Sequence, residues 1–247
     1  MPKLVSIMGS TYPVCAKKEL LAVIDAATLK HCVRIATLNA EFMLEAETNS
    51  SFQKALLSMT HCTIDGSGPH MLLRLLGHTV PDRYAGADLV QDLYQNYADG
   101  SKRLFLLGGL SNEAAAAATT LRTLYPKLEV VGAESGGRIT VGMPIEASLV
   151  KRITKAKPDI LLVGFGAPKQ ELWIEQAETN QLTVPVMIGV GGSFGFLSRK
   201  RRAPILFRRL GIEWLYRGIT ERGHWRRVWR AVIVFPWHFI RSLGSKG

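Results

Sequence analysis

Short apolar runs alternate with longer helical patterns along most of this chain, and no other feature restricts the possible folds as strongly. Each run is rich in Val, Ile or Leu and ends at a glycine or a polar turn. Residues 160–163 are apolar throughout, which is typical of a strand covered on both faces of a parallel sheet. The sequence therefore predicts an α/β protein with a doubly wound, Rossmann-like, mostly parallel sheet. The predicted strands are 4–8, 33–37, 62–64, 103–107, 129–131, 160–164 and 186–190. The predicted helices are 17–29, 41–46, 89–97, 113–124, 146–156 and 170–179.

A change in composition after residue 198 divides the chain. Residues 199–247 hold 13 of the 31 Lys and Arg residues but only 2 of the 20 Asp and Glu residues, so these 49 residues carry the whole formal charge of +11. They also hold four of the five tryptophans. We therefore expect a neutral α/β domain that holds the active site over residues 1–198, and a basic, aromatic-rich helical appendage over residues 199–247.

The composition excludes several classes of protein. With 247 residues, 47% of them hydrophobic and 21% charged, the chain can bury a large core and is neither disordered nor collagen-like. Its three cysteines, Cys15, Cys32 and Cys62, lack CxxC spacing, and we expect them to be buried thiols in a reducing compartment. The N-terminus does not resemble a secretory signal. The apolar stretch over 231–240 is about half as long as a membrane-crossing helix.

Polar and glycine-rich segments follow four of the predicted strands, at residues 37–39, 65–68, 164–171 and 189–193. Ligands of open parallel sheets bind at the carboxyl ends of the strands, where glycines let backbone N–H groups approach a phosphate. A phosphorylated or nucleotide ligand is the simplest interpretation. Each segment also has a purely structural interpretation, because Asp65-Gly66 favours a turn and Thr37 or Asn39 could cap the next helix.

Other site patterns find little support in the sequence. The six histidines show neither HExxH spacing nor cysteine pairing, so we expect no metal site. The chain has no Walker loop, which argues against nucleoside triphosphatases. Gly189, Gly191 and Gly195 have the spacing GxGxxxG, which differs from the GxGxxG fingerprint of dinucleotide-binding proteins. We expect no cofactor.

Five segments occur in an order that is characteristic of one family. They are Thr37-Leu38-Asn39, Asp65-Gly66-Ser67-Gly68, the stretch 158–171 that ends in PKQE, Arg202-Ala203-Pro204, and the stretch 211–217 with the sequence GIEWLYR. Over nearly its whole length the chain resembles the WecG/TagA/CpsF family of bacterial glycosyltransferases. The resemblance implies inverting transfer of a sugar from a UDP-sugar to a polyprenyl-diphosphate-linked sugar. It also implies that the protein works at the inner face of the cytoplasmic membrane, in the synthesis of a cell-surface polysaccharide.

The resemblance also assigns roles to single residues. It implies that Asp65 is the general base, that Thr37, Asn39 and Gln170 line the sugar-nucleotide pocket, and that Arg217 acts at the phosphates. Further residues expected to bind substrate are Gly166, Lys169, Glu171, Gly191, Gly192, Arg202, His224 and Arg227.

The chemistry of an inverting transfer agrees with those roles. One carboxylate must take the proton from the acceptor hydroxyl, and guanidinium groups can pair with the departing diphosphate in place of a metal ion. The chain has no convincing DxD metal motif, so we expect metal-independent transfer. It departs from the family pattern at Phe194-Gly195, where members commonly have Phe-Asp, and at residues 221–224, where His224 or Arg222 would replace an arginine. These departures leave the donor sugar open among glucose, an N-acetylated hexosamine and a uronic acid.

The appendage and the overall function each have alternatives. Basic residues at 199–202 and 222–230 are interleaved with aromatic ones, which is typical of a segment on an anionic membrane surface. RNA binding and a solvated structural face are the alternatives; we expect the membrane and no nucleic acid, and a homo-oligomer is also compatible with the sequence. A nucleotide-dependent oxidoreductase would instead hold NAD(P) at residues 189–195, and a nonenzymatic membrane- or RNA-binding adaptor would not need Asp65.

Overall fold

The protein is described by a computed structural model that covers residues 2–110, 112–137, 139, 144–198, 203–204, 207, 215–216 and 225–244. Its strands are β1 (Lys3–Ile7), β2 (Ser10–Val14), β3 (Val33–Leu38), β4 (His61–Ile64), β5 (Arg103–Gly108), β6 (Glu129–Glu134), β7 (Ile160–Gly164) and β8 (Val186–Gly189). Its helices are α1 (Lys17–Ala26), α2 (Ala40–Thr48), α3 (Ser50–Leu57), α4 (Ser67–Leu75), α5 (Gly86–Asn96), α6 (Glu113–Leu124), α7 (Ala147–Ala156), α8 (Lys169–Thr179), α9 (Ser193–Ser198), α10 (Trp225–Trp229) and α11 (Phe235–Gly244).

The eight strands form one sheet in the order β1-β2-β4-β3-β8-β7-β5-β6. The edge strand β1 is antiparallel to β2, and all other neighbouring strands are parallel. The central strand β7 is buried along its whole length, as expected for a strand covered on both faces. The predicted doubly wound, mostly parallel α/β fold is confirmed.

Two apolar layers cover the sheet, because side chains alternate between its faces along each strand. In β7, Leu161 and Val163 contribute to one layer, whereas Ile160 and Leu162 contribute to the other. The first layer packs against α2, α3, α4, α7, α8 and α11, and the second against α1, α5, α6 and α9. We call them the first and second layers below.

The sequence analysis predicted β1 but missed β2, and with it the hairpin that the two strands form. Its turn consists of Met8 and Gly9, both with positive φ angles (47° and 83°), which suits the twist of a two-residue hairpin. Pro13 is an unusual residue for a strand because proline has no N–H to donate to a ladder. In the structure Pro13 lies opposite Leu4, and β2 pairs with β4 at Val14 alone, so the missing donor costs little.

The described end of the appendage is a nearly continuous helix that packs into the core of the domain. A π-helical turn over Arg230–Val234 joins α10 to α11, and the Phe235 amide donates to the carbonyl of Arg230. Pro236 explains this irregular turn, because a proline has no N–H and its ring crowds the carbonyl four residues earlier. Phe235 and Phe239 are buried in the first layer. Across the part of the chain that the structure describes, no helix is long and apolar enough to cross a membrane.

Candidate active site

The fold creates a crevice between the carboxyl ends of β3 and β8. These two strands are neighbours, with Ile35 opposite Ile188. The helix after β3 is α2, which packs in the first layer through Phe42, and the helix after β8 is α9, which packs in the second layer through Phe194. Connections that leave adjacent strands toward opposite faces leave an open crevice at the sheet edge, which is where doubly wound proteins bind ligands.

Two of the polar segments predicted from the sequence meet at one side of this crevice, together with the start of α5, which the sequence analysis did not single out. Asp65 follows β4, Thr37 lies near the end of β3, and Gly86 begins α5. The Gly86 amide donates a hydrogen bond to Oδ2 of Asp65 at 3.2 Å. A Cβ atom at residue 86 would lie 3.2 Å from Oγ1 of Thr37 and 3.5 Å from Oδ2 of Asp65. The Asp65 carboxylate is therefore oriented by a backbone amide and packed beside a hydroxyl group, and the structure brings Asp65 and Thr37 together as expected.

Asn39 has the structural role that the sequence analysis kept open. Its Oδ1 atom accepts hydrogen bonds from the amides of Glu41 at 2.9 Å and Phe42 at 3.2 Å, which caps α2. A Cβ atom added at Gly66 would lie 3.6 Å from the Cβ atom of Asn39, so Asn39 also borders the loop after Asp65. Because Oδ1 is engaged in the cap, a contact with ligand would come from the Nδ2 group.

Arg83 is a cation at this site that the sequence analysis missed. Its Nη1 group donates to the backbone carbonyl of Asp65 at 3.4 Å, and the residue is partly exposed. Arg83 belongs to no motif, and it lies in the irregular segment between α4 and α5. The only signal in the sequence was a basic residue in a polar loop shortly before the helix that begins at Gly86.

Gln170 joins the two loops on the other side of the crevice. Its Oε1 atom accepts hydrogen bonds from the amide of Gly166, after β7, at 3.2 Å and from the amide of Gly191, after β8, at 2.9 Å. Its Nε2 group donates to Oε1 of Glu171 at 2.6 Å. The Gln170 side chain is only 2% exposed. Gln170 therefore holds the loop backbones in place, and its predicted contact with the sugar nucleotide stays a prediction.

Glu171 lies deeper, fully buried under the loops. A Cβ atom at Gly189 would lie 2.7 Å from Oε1 of Glu171 and from Nε2 of Gln170, so the pair fills the space against β8. Burial raises the pKa of Glu171 to about 8, more than the hydrogen bond from Gln170 lowers it. Its Oε2 atom has no hydrogen-bond partner in the described part of the protein. Glu171 is therefore a neutral carboxyl group at neutral pH, and its burial argues for a supporting role below the ligand.

The glycines expected to contact ligand border open space. A Cβ atom at Gly166, Gly191 or Gly192 would meet no atom within 4 Å. Gly166 and Gly191 also have positive φ angles, 75° and 52°, which favour glycine. Lys169 is exposed in the first turn of α8, where the partial positive charge of the helix end favours an anion.

The appendage approaches the site from the side of Asp65. A Cβ atom at Gly68 would lie 3.7 Å from the carbonyl oxygen of Ala231 in the π-helical turn. Arg202, Arg217 and His224 lie outside the described residues, and Arg227 is described only as part of α10. The predicted roles of these four residues stay predictions.

Comparison with known proteins shows which family the chain is related to. The sequence model of the Glycosyl transferase WecG/TagA/CpsF family matches residues 5–246. The chain belongs to this family. Two curated relatives from Staphylococcus aureus, in strains NCTC 8325 / PS 47 and COL, are each 35% identical over 215 residues, which covers 84% of this chain and 80% of each relative. Both are named N-acetylglucosaminyldiphosphoundecaprenol N-acetyl-beta-D-mannosaminyltransferase. This WecG/TagA/CpsF protein is therefore a glycosyltransferase, which confirms the resemblance and the predicted enzyme class.

Proposed function

We propose that this glycosyltransferase moves a hexose or N-acetylhexosamine-type sugar from a UDP-sugar to a polyprenyl-diphosphate-linked saccharide, with inversion at the anomeric carbon. The observation that carries the proposal is the position of Asp65 at the mouth of the crevice, where the Gly86 amide orients its carboxylate beside Thr37. The printed name of the relatives supports the acceptor class, because it describes sugar transfer to N-acetylglucosaminyldiphosphoundecaprenol.

The proposed step is a single displacement. The acceptor hydroxyl attacks the anomeric carbon from the face opposite UDP, a new C–O bond forms, and the bond from the anomeric carbon to the β-phosphate oxygen breaks. Asp65 takes the hydroxyl proton as general base and becomes neutral, while UDP leaves with the bonding electrons. The hydrogen bond from Gly86 fixes the orientation of the carboxylate, which reduces the entropy cost of reaching the transition state.

The departing diphosphate needs positive charge around it. Arg83 lies beside Asp65 on the same rim of the crevice, and a guanidinium group can pair with two phosphate oxygens at once. Lys169 and the open backbone at Gly166, Gly191 and Gly192 line the opposite rim. In this proposal Arg202, Arg217, His224 and Arg227 add further contacts, and the transfer is metal-independent.

The acceptor lipid links the site to a membrane. A polyprenyl diphosphate presents its phosphates at the headgroup plane, so the enzyme must hold its crevice there. Residues 225–244 reach the loop after Asp65 and expose three tryptophans together with Arg226 and Arg230. We therefore propose that this segment lies on the anionic inner face of the bacterial cytoplasmic membrane, and that its contact with the bilayer and closure of the site are coupled.

The proposal is tested by measuring UDP release from a panel of UDP-sugars with a polyprenyl-diphosphate-linked N-acetylglucosamine as acceptor. Asp65→Asn should lower kcat by about 10²- to 10⁴-fold, because a general base contributes that much, while UDP binding measured by calorimetry stays close to that of the wild type. Asp82→Asn is the matched control, because Asp82 is an exposed carboxylate one residue before Arg83. Wild-type turnover by Asp65→Asn would refute the role of Asp65, and failure to release UDP from every donor would refute the proposed reaction.

A further inference from the structure

Two helices from distant parts of the sequence expose large apolar side chains. In α4, Met71 is 58% exposed and Leu75 is 74% exposed, one helical turn apart. Besides Val232 and Leu243, the segment 225–244 exposes five apolar side chains that recur at helical spacing on the side opposite the buried Phe235 and Phe239. They are Trp225, Trp229, Ile233, Trp237 and Ile240.

The structure brings these two helices side by side. At one end, the carbonyl of Ala231 lies 3.7 Å from the position of a Cβ at Gly68, in the first turn of α4. At the other end, His78, just after α4, lines one cavity together with Phe239 and Leu243 of α11. Leu73 of α4 and the two phenylalanines of α11 belong to the same core layer. Both helices therefore bury residues in the first layer and approach each other at both ends, and we treat their exposed sides together as one surface.

The formally charged side chains that the two helices themselves contribute are all basic, although Glu47 of α2 pairs with His238 of α11 at 2.6 Å. Arg74 of α4 is exposed, and so are Arg226, Arg230 and Arg241 of the terminal segment. The sequence has no Asp or Glu at residues 66–81 or 225–244. In a symmetric contact between two copies of the chain, the same surface would meet itself and these arginines would repel one another. An anionic lipid leaflet instead neutralises them, and the headgroup boundary suits tryptophan and basic side chains.

From this arrangement we infer that α4 is a second membrane-binding element, which inserts its outer side into the anionic leaflet next to the terminal helix. This inference rests on the proposed function for its choice of membrane, and goes beyond it because α4 belongs to the catalytic domain. Since α4 begins two residues after Asp65, its insertion would fix the height and tilt of the crevice above the headgroup plane.

The test uses the full chain and vesicles made of phosphatidylcholine alone or of an equal mixture with phosphatidylglycerol. Met71→Gln combined with Leu75→Gln should weaken partition onto the mixed vesicles about tenfold, because two apolar side chains lose their contact with lipid. Leu29→Gln combined with Leu124→Gln is the matched control, since those leucines are 63% and 59% exposed. Leu124 ends α6 and Leu29 lies in the segment after α1, and both helices belong to the second layer. All four substituted positions are exposed, so the melting temperature of each variant should equal that of the wild type.

Three results would overturn the inference. The first is unchanged vesicle binding by the α4 variant, and the second is an equal loss in the control variant. The third is an oligomeric wild type and a monomeric α4 variant in ultracentrifugation, with equal vesicle binding by both proteins. That result would assign the surface to a contact with a second copy of the chain. The proposed reaction is tested independently of this inference, because it would be refuted by the absence of UDP release. Vesicle binding by Trp229→Gln combined with Trp237→Gln tests the contribution of the terminal helix on its own.

Discussion

The backbone amide of Gly86 donates to the carboxylate of Asp65, and the same glycine leaves no room for a side chain against Thr37. The proposed general base is thus held by the first residue of α5, which comes from a different part of the chain than β4. The crevice depends on this close approach as much as on the residue types at its mouth.

Gly86→Ala should therefore impair catalysis while leaving the fold intact. The added methyl group would lie 3.2 Å from Oγ1 of Thr37, so Thr37 must shift by a few tenths of an ångström, whereas the contact with Oδ2 of Asp65 at 3.5 Å is ordinary. We expect kcat/KM to fall about tenfold, because misplaced catalytic groups lose rate steeply. Alanine is favourable in a helix, so the free energy of unfolding should change by less than about 1 kcal/mol. Gly68→Ala is the control, since its Cβ would have an ordinary contact at 3.7 Å, and equal activity of the two variants would contradict the prediction.

The sequence predicts the strands of the sheet better than it predicts the helix that follows Asp65. Strand β7 and helix α6 have the predicted bounds because their patterns are strong and local. Helix α4 was missed because Gly66, Gly68 and Pro69 are typical of a turn, whereas in the structure Gly66 is the N-cap of the helix. Tertiary packing of Leu73 overrides that local preference.

Residues with recognisable chemistry after strands were easier to predict than the residues that position them. Asp65 and Thr37 carry recognisable chemistry after strands, and the fold brings them together. Gln170 was predicted in the same way, but its hydrogen bonds to two loops depend on how β7 and β8 pair. Arg83 depends on the path of an irregular segment, which no periodic pattern indicates.

Gln170→Ala should weaken donor binding more than it slows the chemical step. The substitution removes the common acceptor of the Gly166 and Gly191 amides, so both loops gain freedom. We expect KM for the UDP-sugar to rise about tenfold, with a loss of about 2 kcal/mol in the free energy of unfolding from unsatisfied buried groups. Gln176→Ala on the same helix is the matched control. A fall in kcat at unchanged KM would instead indicate that Gln170 contacts the reacting atoms.

Glu171 should make the protein less stable as pH rises. The unfolded chain ionises this carboxyl near its ordinary pKa of 4.5, whereas the folded protein keeps it protonated up to a pKa of about 8. Between these values the folded state binds more protons, so the contribution to the free energy of unfolding is full below 4.5, falls with rising pH and is lost above about 8. The slope is about 1.4 kcal/mol per pH unit at most, because the two states differ by at most one proton.

Glu171→Gln removes this titration and keeps an acceptor for the amide of Gln170. Urea unfolding of both proteins at a series of pH values should therefore give a shallower pH dependence for the variant over the interval between 4.5 and about 8. Parallel pH profiles of the two proteins would contradict the assignment of a neutral, buried Glu171.

The end of the appendage should prove to be part of the fold. Phe239 is 2% exposed and packs in the first layer, so Phe239→Ala should lower the free energy of unfolding by about 3–5 kcal/mol. Trp237, two residues earlier on the same helix, is 68% exposed. Trp237→Ala should therefore change the free energy of unfolding by less than about 0.5 kcal/mol. Equal melting curves for the two variants would mean that α11 is not packed on the sheet. If the prediction holds, a chain shortened before residue 225 loses core contacts together with its arginines. The role of the arginines must then be tested by single substitutions in the full chain.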